Sequence, residues 1–263
     1  MGKISNALER KQGERAIKAK MIQPASHLTH ESKSQESFDP KLVACSLPGS
    51  IDAENFKSLK SQILFTNNGT RPKTIMITSA VPGEGKTFVA TNLAVSIAQG
   101  INEHALLIDC DLRHPDAHKM LGYSNKDGLQ EYLTGNKQLP DLLIRTRIDK
   151  LSLLTAGGLS PNPSELLSSA KMKEFFDEVK GRYHDRYIII DSAPAHIMAE
   201  VGVLANYVDN IIFVVKAQKS SREIIKECIE KLGKEKIIGI VFNGHDKGGK
   251  SYNSYYKDYY KGK

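Results

Sequence analysis

The feature that most constrains this chain is the stretch Ser79-Ala80-Val81-Pro82-Gly83-Glu84-Gly85-Lys86-Thr87, set between a short apolar run and a helical one. Lys73–Thr78 (KTIMIT) reads as a strand, and Gly85–Ala98 reads as a helix stopped by Gly100. A strand, a glycine-rich loop ending in Gly-Lys-Thr and a helix form the context in which such a loop wraps phosphate groups. The glycines let the backbone approach closely, and the free N–H groups of a helix start favour negative charge. The reading predicts an ATP site with Mg²⁺. Its loop residues are Pro82, Gly83, Glu84, Gly85, Lys86, Thr87 and Phe88, with Lys86 on the β- and γ-phosphates and the Thr87 hydroxyl on the metal. Ala80 stands where the first glycine of the general pattern is usual.

The rest of the chain reads as a series built around that unit. Ala105–Asp109, Leu151–Thr155, Tyr187–Asp191, Asn210–Val215 and Lys236–Phe242 are short, near-continuously apolar strands. Helical stretches separate them. One covers about Ser164–Arg182, and another runs to Leu232 from a capping box formed by Ser220 and Glu223. Ahead of the loop, Asp52–Phe65 is an amphipathic helix with Phe56, Leu59, Ile63 and Leu64 on one side. Strands alternating with helices predict an α/β fold, a mostly parallel sheet flanked by helices. The domain reading is a basic N-terminal segment and linker over 1–48, a P-loop domain over 49–246 and a Tyr/Lys-rich tail over 247–263.

Two further motifs fit the loop. Asp109-Cys110-Asp111 follows a strand, at the carboxyl end where open α/β sheets hold ligands. Tyr187–Asp191 is an apolar strand ending in an aspartate, the Walker B pattern whose carboxylate supports Mg²⁺. The last twelve residues hold Tyr252, Tyr255, Tyr256, Tyr259 and Tyr260, five of the chain's ten tyrosines, among Lys, Ser, Asn and Gly that cannot build a core. They read as exposed phosphate acceptors. His196, standing alone, is given no catalytic role.

Composition narrows the partners. The net charge of +7 gathers at the two ends, which suits an anionic membrane surface or an acidic protein face. No nucleic-acid motif accompanies it, so none is expected as partner. No run approaches the roughly 18 apolar residues of a membrane span. The charged first twenty residues are not expected to act as a secretory signal, and Asn6 stands where a myristoylation signal needs Ser or Thr. Cys45, Cys110 and Cys228 form no CxxC pair, as expected of a reducing cytosol without a metal or disulfide framework.

Taken together, these residues resemble the bacterial tyrosine kinases (BY-kinases) of the cytoplasmic CpsD/CapB type, which accompany polysaccharide-export machinery. The resemblance spans about residues 50–260. It rests on the P-G-E-G-K-T loop, I-D-C-D-L-R-H-P, the segment Gly157–Leu167 (GGLSPNPSELL), I-I-I-D-S-A-P and the terminal tyrosines. It implies a P-loop NTPase fold of the partition and cell-division ATPase type. It also implies phosphorylation of the tail tyrosines between neighbouring subunits, stimulation by a membrane-anchored co-polymerase, a cognate tyrosine phosphatase, and recruitment from the cytoplasm to the inner face of the plasma membrane. Residue by residue, it makes Lys86, Asp109, Asp111 and Asp191 catalytic. One of the pair Asp109 and Asp111, Asp109 by preference, takes the tyrosine proton. Thr87, Asp109 and Asp191 stand at the metal, and Asn243 at the adenine. Glu54, Lys57 and Lys60 stand in the subunit-association helix, where the family carries Glu-x-x-Arg-x-x-Arg. Lysine keeps the charge but lacks the bidentate fork of arginine. Ala193 replaces a usual proline, and Glu200 a usual aspartate. The competing reading is an ATPase switch of the partition kind, whose signature lysine is replaced here by Val81 and which lacks a tyrosine tail. A non-catalytic nucleotide-dependent scaffold is a third.

Overall fold

A computed structural model of the chain describes residues 38–65 and 72–244. The expectations for residues 1–37 and for the tail tyrosines lie outside them. The core is a seven-stranded sheet of β1 (Thr74–Ser79), β2 (His104–Asp109), β3 (Ile144–Arg145), β4 (Leu151–Leu154), β5 (Arg186–Asp191), β6 (Asn210–Lys216) and β7 (Ile237–Asn243), in the order β3-β4-β2-β5-β1-β6-β7. Every neighbouring pair is parallel except β3 with β4. The fold is thus the expected one.

Side chains alternate across the sheet with the period of a strand. Met76, Leu106, Ile188, Ile190 and Phe213 face one cluster with Phe175 and Phe176. Ile75, Ile77, Leu107, Ile189 and Val214 face the other, packed on α3 (Lys86–Ala98). All residues of α3 from Val89 to Ala98 are buried, so it is enclosed on both sides. The outer cover is α2 (Ile51–Leu64), N-capped by Ser50, with Phe56 meeting Phe88 edge to face at 5.6 Å. Such a ring pair adds about 0.5–1.5 kcal/mol beyond burial.

The sequence reading assigns 1–48 to a basic N-terminal segment and linker, but Leu42, Val43 and Ala44 belong to the core. Leu42 is wholly buried, and Val43 and Ala44 enter α1 (Val43–Ser46) against α3. Asn92 of α3 clamps that segment, accepting from Ala44 N (3.1 Å) and donating to Lys41 O (3.0 Å). The helix expected over Ser164–Arg182 is two, α7 (Pro163–Leu167) and α8 (Ala170–Arg182). Ser169 is extended between them and caps α8. The cap of α10 (Arg222–Leu232) is Ser221, which accepts from Ile224 N. Ser220 turns inward to Glu84 instead. Besides α1, the sequence reading does not contain β3 or the helices α4 (Ala117–Leu121), α5 (Leu129–Leu133), α6 (Leu139–Leu142) and α9 (Ala199–Tyr207).

Because Leu42 is a core residue, Leu42→Ala is expected to lower stability by about 2–5 kcal/mol. Leu47→Ala, at a side chain 57% exposed five residues on, should be near neutral in the same urea unfolding series.

Candidate active site

The glycine-rich loop leaves β1 at Ser79 and enters α3 at Lys86. Gly83 (φ 77°) and Gly85 (φ 96°) hold left-handed conformations, and a β-carbon on Gly85 would collide with the Asn243 amide. That amide donates to Glu84 O at 2.8 Å. Asn243 therefore supports the loop from the end of β7. The Glu84 side chain is turned into the protein and is wholly buried. It accepts from Val81 N (2.9 Å), the Ser220 hydroxyl (3.0 Å) and Lys216 N (3.3 Å), so its only route to a ligand is its backbone. Phe88 likewise spends its ring on Phe56. Pro82 and Gly83 are exposed at the rim.

Parallel pairing of β2 with β5 sets Asp109 directly opposite Asp191. Both are wholly buried, and Asp111 nearly so. Asp109 accepts from Asp111 N (3.1 Å) and Ala117 N (3.2 Å), and Asp111 accepts from His114 N (3.0 Å). Lys86 Nζ reaches Asp111 Oδ2 at 2.9 Å. Neither oxygen of Asp191 has a hydrogen-bond partner of normal geometry, although the Thr87 hydroxyl is near enough to favour its ionised form. Burial pushes Asp191 up to about 7, against the pull of Lys86 and Thr87. Burial, then the charge of Asp191, hold Asp109 well above the ordinary carboxylate range. Lys86 is desolvated, which lowers its pKa, but the charges of Asp191, Asp111 and Asp109 outweigh that and raise it. Two orphaned buried carboxylate oxygens beside a threonine hydroxyl suit a hard divalent cation. Mg²⁺ commonly takes one or two carboxylates and completes its shell with water and substrate phosphate. Among the described residues no preformed group of three or more His, Cys, Asp or Glu side chains stands ready for a metal.

A second layer was not read from the sequence. Arg113 Nε meets Glu200 Oε1 at 2.9 Å, its Nη2 meets Ser164 Oγ at 2.9 Å, and Ser164 donates to Glu200 Oε2 at 2.9 Å. Three separate segments (the loop after β2, α7 and α9) are thereby tied beside Asp111. The longer Glu200, in place of the expected aspartate, still closes the triangle. Their spacing in the chain carries no sign of this, because they meet only in the fold.

Residues 75–263 match the family model of the CobQ/CobB/MinD/ParA nucleotide binding domain. The kinase domain of the Escherichia coli tyrosine kinase ETK aligns with a TM-score of 0.75 at 28% identity, over 82% of this chain and 84% of that one. The tyrosine-protein kinase CpsD of Streptococcus agalactiae is 32% identical over 72% of this chain and 81% of its own length. The tyrosine-protein kinase YwqD of Bacillus subtilis is 34% identical over 82% of this chain and 90% of its own. The chain belongs to the bacterial tyrosine kinases. Glu54 pairs with Lys57 of its own helix at 2.6 Å, and Lys57 also lies near Pro48 O. Part of the expected subunit-association set is thus satisfied within one chain.

Asp191 supplies a signed test on the nucleotide- and magnesium-free kinase. An unfolded aspartate ionises near pH 4, whereas Asp191 holds its proton to about 7. Between those values folding takes up a proton, so stability falls as pH rises and levels off above 7. Asparagine does not titrate. Asp191→Asn is therefore expected to gain stability over the wild type as pH rises from 4 to 7, reaching on the order of a few kcal/mol at pH 8. Urea unfolding at pH 5 and pH 8 reads the gap; a pH-independent gap would remove the charge strain from the account.

Proposed function

We propose that this chain is an ATP-dependent protein-tyrosine kinase that phosphorylates its own tail between subunits, in the service of exopolysaccharide or capsule synthesis. The observation that carries the reading is the meeting of Lys86, Asp109, Asp111 and Asp191 at the carboxyl ends of two neighbouring strands. Backbone N–H groups of residues 83–88 and the Lys86 ammonium would hold the phosphates, with Asn243 near the adenine. Thr87, Asp191 and Asp109 are the groups suited to hold Mg²⁺. When bound, that ion neutralises charge on the transferring phosphoryl group.

The chain's own residues do the rest. A tyrosine oxygen attacks the γ-phosphorus, the bond to the β-bridging oxygen breaks, and the phenolic proton passes to a carboxylate. Asp109 suits that task better than Asp111. It stands at the strand end opposite Asp191, while Asp111 is tied to Lys86. Acceptors are Tyr252, Tyr255, Tyr256, Tyr259 and Tyr260. Each phosphate adds about −1.5 to −2 charge at neutral pH, so several reverse the tail's basic character and favour its release.

The wider setting belongs to the same proposal. No helix among the described residues is long and apolar enough to cross a membrane. The basic charge of +7 suits attraction to the inner face of the plasma membrane. A membrane-anchored co-polymerase would raise a low intrinsic activity, a homo-oligomer built on the face of Glu54, Lys57 and Lys60 would present tails to neighbouring sites, and a cognate phosphatase would reset them.

The test mixes two chains. One carries Lys86→Ala with an intact tail; the other is active, with its five tail tyrosines replaced by Phe. After incubation with Mg-ATP, mass spectrometry should place phosphotyrosine on the tail of the Lys86→Ala chain. An unmodified tail alongside self-phosphorylating wild type would mean transfer within one subunit. ATP hydrolysis without any phosphotyrosine, even in wild type, would favour the partition-type switch.

A further inference from the structure

The loop between β6 and α10 lies against the glycine-rich loop and presents a cation to it. A β-carbon built on Gly83 would stand 2.9 Å from Lys219 Nζ and 3.7 Å from its Cε, so the ammonium rests directly on that glycine. Gly83 has two reasons to lack a side chain: its left-handed φ of 77°, and the room its bare α-carbon leaves for Lys219.

The lysine is placed there by its loop. Lys216 N and the Ser220 hydroxyl both donate to Glu84 Oε1, and Ala217 N donates to Asn243 O (3.2 Å). Glu84 therefore fastens residues 216–220 to the phosphate loop on either side of Lys219. Lys219 N closes a turn onto Lys216 O (3.2 Å), around Gln218 at φ 61°. That left-handed conformation is rare and costly for a residue with a side chain. Strain of this kind is retained where the surroundings require a particular chain direction.

The charges give the arrangement a purpose. Lys86, the loop's own lysine, is paired with Asp111 at 2.9 Å. Lys219 makes no ion pair or side-chain hydrogen bond among the described residues. An exposed, uncompensated ammonium at the rim of an anion-binding loop raises the local affinity for negative charge. Val81 leaves the partition-type lysine position empty of charge, so the positive charge at this rim comes from a different part of the chain.

We infer that Lys219 is a second phosphate-binding cation of the nucleotide site, contacting the polyphosphate of bound nucleotide across Gly83. The inference rests on the nucleotide-site reading above.

The experiment measures binding of fluorescent N-methylanthraniloyl-ADP with Mg²⁺ to the full chain, with competition by ADP and by the non-hydrolysable analogue AMP-PNP. Lys219→Met should weaken affinity about tenfold at low salt, as for loss of one charge-assisted contact at a partly screened site. The deficit should shrink as salt is raised. Lys219→Arg should restore most of the loss. A deficit shared by ADP and AMP-PNP assigns the contact to the α- or β-phosphate, and one confined to AMP-PNP assigns it to the γ-phosphate; both support the inference. Unchanged affinity for both in Lys219→Met overturns it. So does lower unfolding temperature of the nucleotide-free protein with unchanged affinity, which would make Lys219 a brace of the loop. Lys86→Ala separates the two levels. If it abolishes binding while Lys219→Met does not, this inference alone fails; if neither affects binding, the nucleotide-site reading fails as well.

Discussion

The structure turns on a repulsion. Two wholly buried carboxylates, Asp109 and Asp191, face each other across the pairing of β2 and β5, with Asp111 close by. An apolar sheet end is a poor place for negative charge, and water is excluded from it. One lysine, Lys86, stands against three acids, and the two oxygens of Asp191 have no hydrogen-bond partner of normal geometry. Nothing in the packing of a parallel sheet needs this arrangement. It is what a protein keeps when a charged ligand has to be held at that point, with stability given up for chemistry.

The surroundings make sense as devices that keep this cluster in register. Thr78 donates to Ala193 O and Ser192 to Ile77 O, which fastens the exit of β5 to β1. Arg113, Ser164 and Glu200 do the same on the far side of Asp111. Behind the phosphate loop, Glu84 satisfies three donors from the loop and the β6–α10 connection. The exposed rim of Pro82 and Gly83 stays open to solvent. The site is thus rigid beneath and open above, as a site that takes up a nucleotide and a tyrosine in turn has to be.

Much of this was legible in the sequence because it is local. Apolar strands of five or six residues announce themselves by burial on both faces, and β1, β2, β5 and β6 lie within one residue of their expected bounds. The motif acids lie together because a parallel sheet aligns the carboxyl ends of its strands. What was missed depends on contacts far apart in the chain. The segment 38–48 reads as a linker because only Leu42, Val43 and Ala44 anchor it, too few for a periodic signal. Glu84 reads as a loop residue facing ligand, and only the arrival of Ser220 from β6 shows that it faces inward. Ser220 reads as a helix cap because its own spacing to Glu223 fits one, while Ser221 fits the backbone better. The break at Ser169 is a cap hidden inside a helix-forming stretch.

The central claim is that burial holds Asp109 and Asp191 back from ionisation in the ligand-free protein, and that bound magnesium and nucleotide favour their ionised forms. Calorimetry of Mg-ADP binding at pH 6.5, in buffers of different ionisation enthalpy, counts the protons exchanged. With Asp191 near 7 in the free protein, binding should release a fraction of a proton. The release should fall as pH is raised to 8, and it should be smaller in Asp191→Asn. Binding with no proton release at pH 6.5, or with the same release in Asp191→Asn, would contradict the account.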